Sequence, residues 1–181
     1  MNEVLNTIRT RYSCRSFDGA PIPPELLETV LEAGKYAPNG KNSQAWHFTV
    51  ISSPEGRELA IKALGKNPPP NFPKDMIWPH DADFHGAPTL ILISCDPNVP
   101  YPDVGCHIAA GYMMLAATSL GLATVWSTAF TKDSFRDEES CSVRSKLIPE
   151  GYEMYAALFI GYAKNPPAPR PERKSGVVTY L

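Results

Sequence analysis

The segment "DVGCHIAAGYMMLAATSLG" (103–121) is apolar on nearly every side when its residues are placed at 3.6 per helical turn. A surface helix keeps one polar face, so this segment is predicted to form a helix enclosed on all faces. Gly121 is a typical residue to end a helix, and the β-prone stretch "LATVWSTAF" (122–130) follows it directly. A buried helix that leads into a strand predicts a helical layer packed on a sheet.

Helical and strand patterns alternate along the rest of the chain. Apolar spacing and proline positions predict further helices at 2–11, 22–37, 54–65 and 140–149. Runs rich in β-formers predict strands at 47–52, 89–95, 122–130 and 152–163. This pattern favours an α+β fold with three layers around a small sheet, and a chain of 181 residues suits a single domain over 1–181.

Composition and charge exclude several classes of protein. The chain is 43% hydrophobic and 20% charged, which is typical of a globular protein. Its net charge of −2 gives no footprint for nucleic acid or an acidic membrane surface, and its longest apolar runs are too short to span a bilayer. The N-terminus lacks a basic segment followed by an apolar run, so we expect a cytoplasmic protein whose four cysteines are reduced.

The stretch "RTRYSCRSF" (9–17) places three arginines within seven positions. One interpretation is a solvated helix end, because cations complement the dipole at a helix C-terminus. This explains Arg9 but not Arg15, which lies beyond the predicted helix. In an extended segment Arg11, Ser13 and Arg15 share one side, and two guanidinium groups with a hydroxyl suit a phosphate.

The stretch "APNGKNSQAWHF" (37–48) joins a predicted helix to a predicted strand and holds three side-chain amides. It can be read as a simple connection, for which Asn39-Gly40 is good turn chemistry. A turn does not require three side-chain amides. The amides of Asn39, Asn42 and Gln44 can both donate and accept hydrogen bonds at the edge of a heterocycle.

Residues 66–88 contain six prolines and little periodicity, so they predict a long loop that is either functional or mobile. Within it, "HDADFH" (80–85) offers possible metal ligands, His80, Asp81, Asp83 and His85. Nothing in the pattern holds these side chains in a preset geometry, so a solvated loop is the favoured interpretation and no metal site is assigned.

Four stretches in this order resemble the nitroreductase family of FMN-dependent oxidoreductases. "RYSCRSF" (11–17) is similar to the family's R-x-S-x-R-x-F motif, and "PNGKNSQAW" (38–46) to its P-S-x-x-N-x-Q-P-W loop. "LAATSLGLATVW" (115–126) resembles its helix-to-strand segment. "PEGYEMYAALFIGYAKNPPAPRPERK" (149–174) resembles its closing strand and basic tail.

The resemblance implies a three-layer α/β/α fold with a central, mostly antiparallel sheet, in an intertwined homodimer whose C-terminal tail, residues 164–181, extends onto the partner subunit. FMN would lie at the subunit interface. The residues implied to hold its phosphate and ribityl chain are Arg11, Tyr12, Ser13, Arg15 and either Arg173 or Lys174.

The resemblance also implies two sets of residues around the flavin ring. A loop from the second subunit would border the isoalloxazine through Pro38, Asn39, Gly40, Asn42 and Gln44. The segment after the third strand would lie near the reactive flavin N5 through Ser127, Thr128 and Ala129.

The implied activity is ping-pong transfer of hydride from NADH or NADPH, through FMN, to a flat electron-poor acceptor such as a nitroaromatic or a quinone. FMN carries the chemistry in this interpretation, so no catalytic side chain is assigned. Branches of the same fold that remove halogen or fragment reduced flavin are one alternative. A flavin-binding or redox-sensing protein with little turnover is another, and it is favoured by "STAF" (127–130), which replaces an acidic residue and a glycine of well-known members.

Overall fold

The computed structural model of the chain describes residues 2–64, 84–127, 129–131 and 134–181. Over these residues the helices are α1 (Glu3–Thr10), α2 (Pro24–Lys35), α3 (Pro54–Leu64), α4 (Pro102–Ser119) and α5 (Glu138–Leu147). The strands are β1 (Trp46–Ile51), β2 (Thr89–Cys95), β3 (Ala123–Ser127) and β4 (Glu153–Gly161). Each predicted helix and strand is present, β2 with the predicted bounds and the others with ends moved by at most three residues.

The four strands form one sheet in the order β1-β2-β4-β3, and every neighbouring pair is antiparallel. β2 is buried along its whole length because both of its edges are paired and both of its faces are covered. β1 and β3 are the two edge strands. The predicted antiparallel sheet is therefore confirmed.

Helices cover both faces of the sheet. On one face α3 and α5 enclose a core that includes Phe84, Phe130 and Phe159. On the other face α2 and α4 enclose a second core that includes Met113 and Ile160. From Ala156 to Ile160, neighbouring residues of β4 point alternately into these two cores, as the pleat of a strand requires. The predicted three-layer α+β architecture is confirmed.

Local hydrogen bonds explain where several helices begin and end. The side chain of Asn2 accepts a hydrogen bond from the Leu5 N–H at the start of α1. Gly121 adopts a φ of 77° after α4, and this conformation lets the Leu122 N–H donate to the Ala117 carbonyl at 2.8 Å. The predicted helix end at Gly121 is confirmed.

The described residues leave one face of α4 uncovered. On α4, Tyr112 is 42% exposed and Val104 is 48% exposed. The neighbouring helix α1 also has exposed apolar side chains, namely Val4, Leu5 and Ile8. These five residues are called the α1/α4 face below. The sequence predicts a helix enclosed on all faces, and the described residues of a single copy leave this face open.

The strand predicted at 122–130 ends earlier, at Ser127. Phe130 is fully buried against Phe84 and Phe159, so the chain must turn into the core before it reaches this residue. Packing of one aromatic side chain thus overrides the β propensity of the surrounding residues.

The cysteines are unpaired in the structure, and Cys14, Cys95 and Cys106 are buried. Burial raises the pKa of both Cys95 and Cys106. None of the helices that the structure describes is both long and apolar enough to cross a bilayer. No cluster of three or more potential metal-ligating side chains occurs in the described ranges, which include His85 but not His80, Asp81 or Asp83.

Candidate functional site

The segment that follows α1 is extended and lies beside β3. Ser13 forms a parallel bridge with Thr124, and the Cys14 N–H donates to the Thr124 carbonyl at 2.9 Å. Cys14 is buried, whereas Ser13 and Arg15 on either side of it are exposed. Because side chains alternate along an extended segment, Arg11, Ser13 and Arg15 share the outer side, and Arg11 is half-buried there.

Three arginines from the two ends of the chain lie close enough to interact electrostatically near this segment. Burial lowers the pKa of Arg11, and the positive charges of Arg170 and Arg173 lower it further. Arg11, Arg170 and Arg173 are called the arginine cluster below. Within the described parts of the chain, no carboxylate lies at ion-pair distance from any of the three. Like charges that gather without a counterion form a site with a strong preference for an anion.

The sequence predicts that Arg173 or Lys174 of the tail contacts the phosphate of the cofactor. Arg173 and Lys174 are both exposed, and the positive charge of Arg173 is the one that lowers the pKa of Arg11. Arg170 was not among the predicted site residues. Its signal was present in the sequence, because it is the first residue of the basic stretch "RPERK" (170–174).

The loop between α2 and β1 is shaped by its own amides. The Asn39 side-chain oxygen accepts hydrogen bonds from the Gln44 N–H at 3.0 Å and from the Ser43 hydroxyl at 3.3 Å. The Gln44 side-chain amide donates to the Asn42 side-chain oxygen at 3.3 Å. Some of the hydrogen-bonding groups of the three amide side chains therefore stabilise the loop itself. Pro38, Asn42 and Gln44 remain exposed.

The same loop stores backbone strain. Lys41, Asn42 and Gln44 have φ values of 53°, 52° and 48°, a conformation that side-chain-bearing residues adopt rarely. Gly40 permits a close approach, because a Cβ atom there would lie 2.2 Å from the Pro100 carbonyl oxygen. Strained backbone that the surrounding structure enforces is characteristic of functional sites.

The segment after β3 is fixed by hydrogen bonds and by Phe130. The Ser127 hydroxyl oxygen accepts from the Ala129 N–H at 3.2 Å, and the Ser134 hydroxyl donates to the Ala129 carbonyl at 3.2 Å. Thr128, the third predicted residue of this segment, lies outside the described residues.

Within one chain, α4 stands between the loop and the segment after β3. A Cβ atom at Gly105 would lie 3.3 Å from the Cβ of Asn39 in the loop, whereas Trp126 of β3 packs against His107 with ring centroids 5.6 Å apart. Residues two apart on a helix point about 200° away from each other. Among the described residues, the loop and Trp126 therefore lie on different sides of α4.

Comparison with known proteins identifies the family of this chain. The model of the nitroreductase family matches residues 8–162. The chain is similar to a nitroreductase with bound FMN from Bacteroides fragilis, with 31% identity, full coverage of both chains and a TM-score of 0.84.

Two curated relatives extend the comparison. A protein named "Putative NADH dehydrogenase/NAD(P)H nitroreductase" from Methanothermobacter thermautotrophicus is 30% identical over 169 residues, which cover 91% of this chain and 80% of the relative. An iodotyrosine deiodinase from Thermotoga neapolitana is 25% identical over 194 aligned residues, which cover 99% of this chain and 98% of the relative. The family model covers most of the chain, and the protein therefore belongs to the nitroreductase family.

Proposed function

We propose that this protein is an FMN-dependent oxidoreductase that takes electrons from NADH or NADPH. The observation that carries the proposal is the arginine cluster, which lies next to Ser13 and has no carboxylate counterion in the described parts of the chain. The bound FMN of the similar nitroreductase from Bacteroides fragilis and the NAD(P)H in the name of the archaeal relative support it.

The donor groups at this site fit a phosphate monoester. Guanidinium groups present paired N–H donors that match phosphate oxygens, and a hydroxyl adds one more donor. We assign the phosphate to Arg11, Ser13, Arg15 and Arg173, with Tyr12 and Lys174 beside them. A dianion here removes the repulsion that the arginine cluster otherwise bears.

When bound, FMN supplies the redox chemistry, which is ping-pong transfer of hydride from NAD(P)H at flavin N5 to an acceptor. The chain's own residues bind and orient it. Ser127, Thr128 and Ala129 would hold the ring from the same chain as the arginine cluster. The loop of the second subunit would hold the ring through Pro38, Asn39, Gly40, Asn42 and Gln44.

A homodimer follows from the same proposal. The α1/α4 face is an exposed apolar surface, and the apolar composition of α4 favours its burial. A second copy of the chain would cover this face. The tail is exposed throughout and carries bulky apolar residues, with Tyr180 92% exposed. Both features suit an intertwined dimer in which the loop of one subunit completes the flavin site of the other.

The acceptors that we propose are flat and electron-poor, such as nitroaromatics or quinones. They would occupy the same open flavin face as the nicotinamide, and solvent would supply protons there. No side chain is required as a nucleophile in this scheme.

An absorbance spectrum tests the proposal. The purified protein, or the protein supplied with FMN and passed through a desalting column, is expected to be yellow. NADH or NADPH should bleach the flavin bands under nitrogen, and a quinone should restore them. A protein that stays colourless after exposure to FMN contradicts the proposal.

Reductive removal of halogen is a second candidate activity. The favouring observation is the deiodinase relative, whose length the chain matches almost completely. Release of iodide from iodotyrosine by the dithionite-reduced protein would support this activity. Rapid bleaching by NAD(P)H with no release of iodide would favour the nitroreductase activity.

A further inference from the structure

The tail returns to the N-terminal helix through Arg170. The guanidinium of Arg170 donates hydrogen bonds to the main-chain carbonyls of Arg9 and Thr10, across about 160 residues of sequence. These two carbonyls belong to the last turn of α1, where carbonyl groups have no partner within the helix. Arg170 therefore caps α1, and its positive charge suits the negative end of the helix dipole.

Arg170 also contacts the residue that follows Arg11. Its guanidinium carbon lies 6.0 Å from the centre of the Tyr12 ring, at the outer limit of a cation–π contact. Arg170 thus holds the chain before Arg11 by hydrogen bonds and the chain after it by a ring contact. Arg11 therefore lies in sequence between two contacts that both come from one residue at the far end of the chain.

This arrangement has an electrostatic cost. Arg170 and Arg173 both act on the charge of Arg11, so docking the tail brings like charges together. The capping bonds offset part of this repulsion, and an anion held between Arg11 and Arg173 would offset more. Docking of the tail and binding of an anion are therefore expected to favour each other.

We propose that Arg170 is a positioning residue for the phosphate of FMN, which clamps the tail to the end of α1 so that Arg11 and Arg173 meet on one anion. This inference rests on the proposed FMN binding. Two of the guanidinium's donors serve the α1 carbonyls, so Arg170 acts through the geometry of its neighbours.

The geometry of the clamp distinguishes it from simple attraction by charge. A guanidinium can donate to two carbonyls at once and lie flat over a ring, whereas an ammonium is a compact charge without this planar fork. Arg170→Lys keeps the positive charge and should lose the clamp. It should therefore resemble Arg170→Ala and differ from the wild type.

The experiment titrates flavin into the flavin-free protein and follows the quenching of flavin fluorescence. FMN and riboflavin are compared, because riboflavin lacks the phosphate. Arg170→Ala and Arg170→Lys are each expected to raise the Kd for FMN about tenfold and to leave the Kd for riboflavin within about twofold of the wild type. Arg9→Ala is the matched control, because it removes a nearby charge and keeps the carbonyl that Arg170 caps, so its Kd values should equal those of the wild type.

Three results would overturn the inference while leaving the proposed function intact. They are an unchanged FMN Kd in Arg170→Ala, an equal loss of affinity for FMN and riboflavin, and a wild-type FMN Kd in Arg170→Lys. Retained riboflavin binding shows that a variant is folded, and Arg170→Gln provides a second uncharged variant if Arg170→Ala does not fold. A wild-type protein that binds neither flavin would overturn the proposed function itself.

Discussion

Ser13 and Thr124 form a parallel β-bridge, and the Cys14 N–H donates to the Thr124 carbonyl at 2.9 Å. The bridge covers part of the β3 edge and holds the extended segment with Ser13 and Arg15 alongside the strand. From Thr124 to Ser127 the strand advances about 10 Å at 3.3 Å per residue. The proposed phosphate site and the segment that follows β3 are thus held at the two ends of one short strand.

Thr124 is also the basis of a stability prediction. Its hydroxyl oxygen is buried and has no hydrogen-bond partner among the described residues. A buried hydroxyl without a partner costs about 1–3 kcal/mol. Thr124→Val is therefore expected to raise the free energy of unfolding of the flavin-free protein by about 1 kcal/mol, as measured by urea denaturation.

Thr49→Val is the matched control for this change. The Thr49 hydroxyl donates to the Leu147 carbonyl at 2.7 Å, so its loss should lower the free energy of unfolding by about 1 kcal/mol. If Thr124→Val were as destabilising as Thr49→Val, the Thr124 hydroxyl would have a partner in solution and the prediction would be wrong.

The sequence predicted best what depends on neighbouring residues. The end of α4 at Gly121 and the strand β2 follow from patterns within a few positions, and both are confirmed. Apolar composition shows that every face of α4 requires burial, and it does not show which face the rest of the same chain leaves uncovered. The early end of β3 depends on Phe130 packing against Phe84 and Phe159, which are distant in sequence.

The candidate site shows the same division. The alternation that exposes Ser13 and Arg15 follows from the period of an extended segment. The contact of Arg170 with α1 joins residues about 160 positions apart, and no local pattern encodes it. The composition of the tail shows that it is basic. Only the fold shows that Arg170 caps α1, whereas Arg173 is available to bind an anion.

Arg15 tests the phosphate assignment directly. It is exposed on the same side as Ser13. Loss of a charge-assisted hydrogen bond to phosphate costs about 1.5–3 kcal/mol. Arg15→Ala should therefore raise the Kd for FMN by about one to two orders of magnitude. A fluorescence titration measures the change, and Arg9→Ala should leave the affinity unaltered. Equal affinities in Arg15→Ala and the wild type would count against the phosphate role.

The α1/α4 face predicts the state of assembly. Tyr112 lies on this face of α4 and is partly exposed in the single chain. Tyr112→Glu would place a carboxylate inside the proposed subunit interface, where its desolvation is costly. Sedimentation velocity should show a dimer for the wild type and a marked shift to monomer for Tyr112→Glu.

Lys62→Glu is the control for this prediction, because it introduces the same side chain on α3, which packs on the opposite side of the sheet. It should leave the dimer intact. A wild-type protein that sediments as a monomer would show that the α1/α4 face is not covered by a second copy.

Gly40 tests whether the loop must keep its shape. A Cβ atom at this position would lie 2.2 Å from the Pro100 carbonyl oxygen, which is main chain and cannot rotate away. Gly40→Ala should therefore push the loop off the start of α4 at a cost of about 1–3 kcal/mol. Because the proposed site takes this loop from the second subunit, FMN and riboflavin should lose affinity together, unlike in Arg15→Ala, where only the phosphate contact is lost. Fluorescence titration with both flavins distinguishes the two variants. A Gly40→Ala protein that lost affinity for FMN alone would place the loop at the phosphate and contradict the proposed arrangement of the ring.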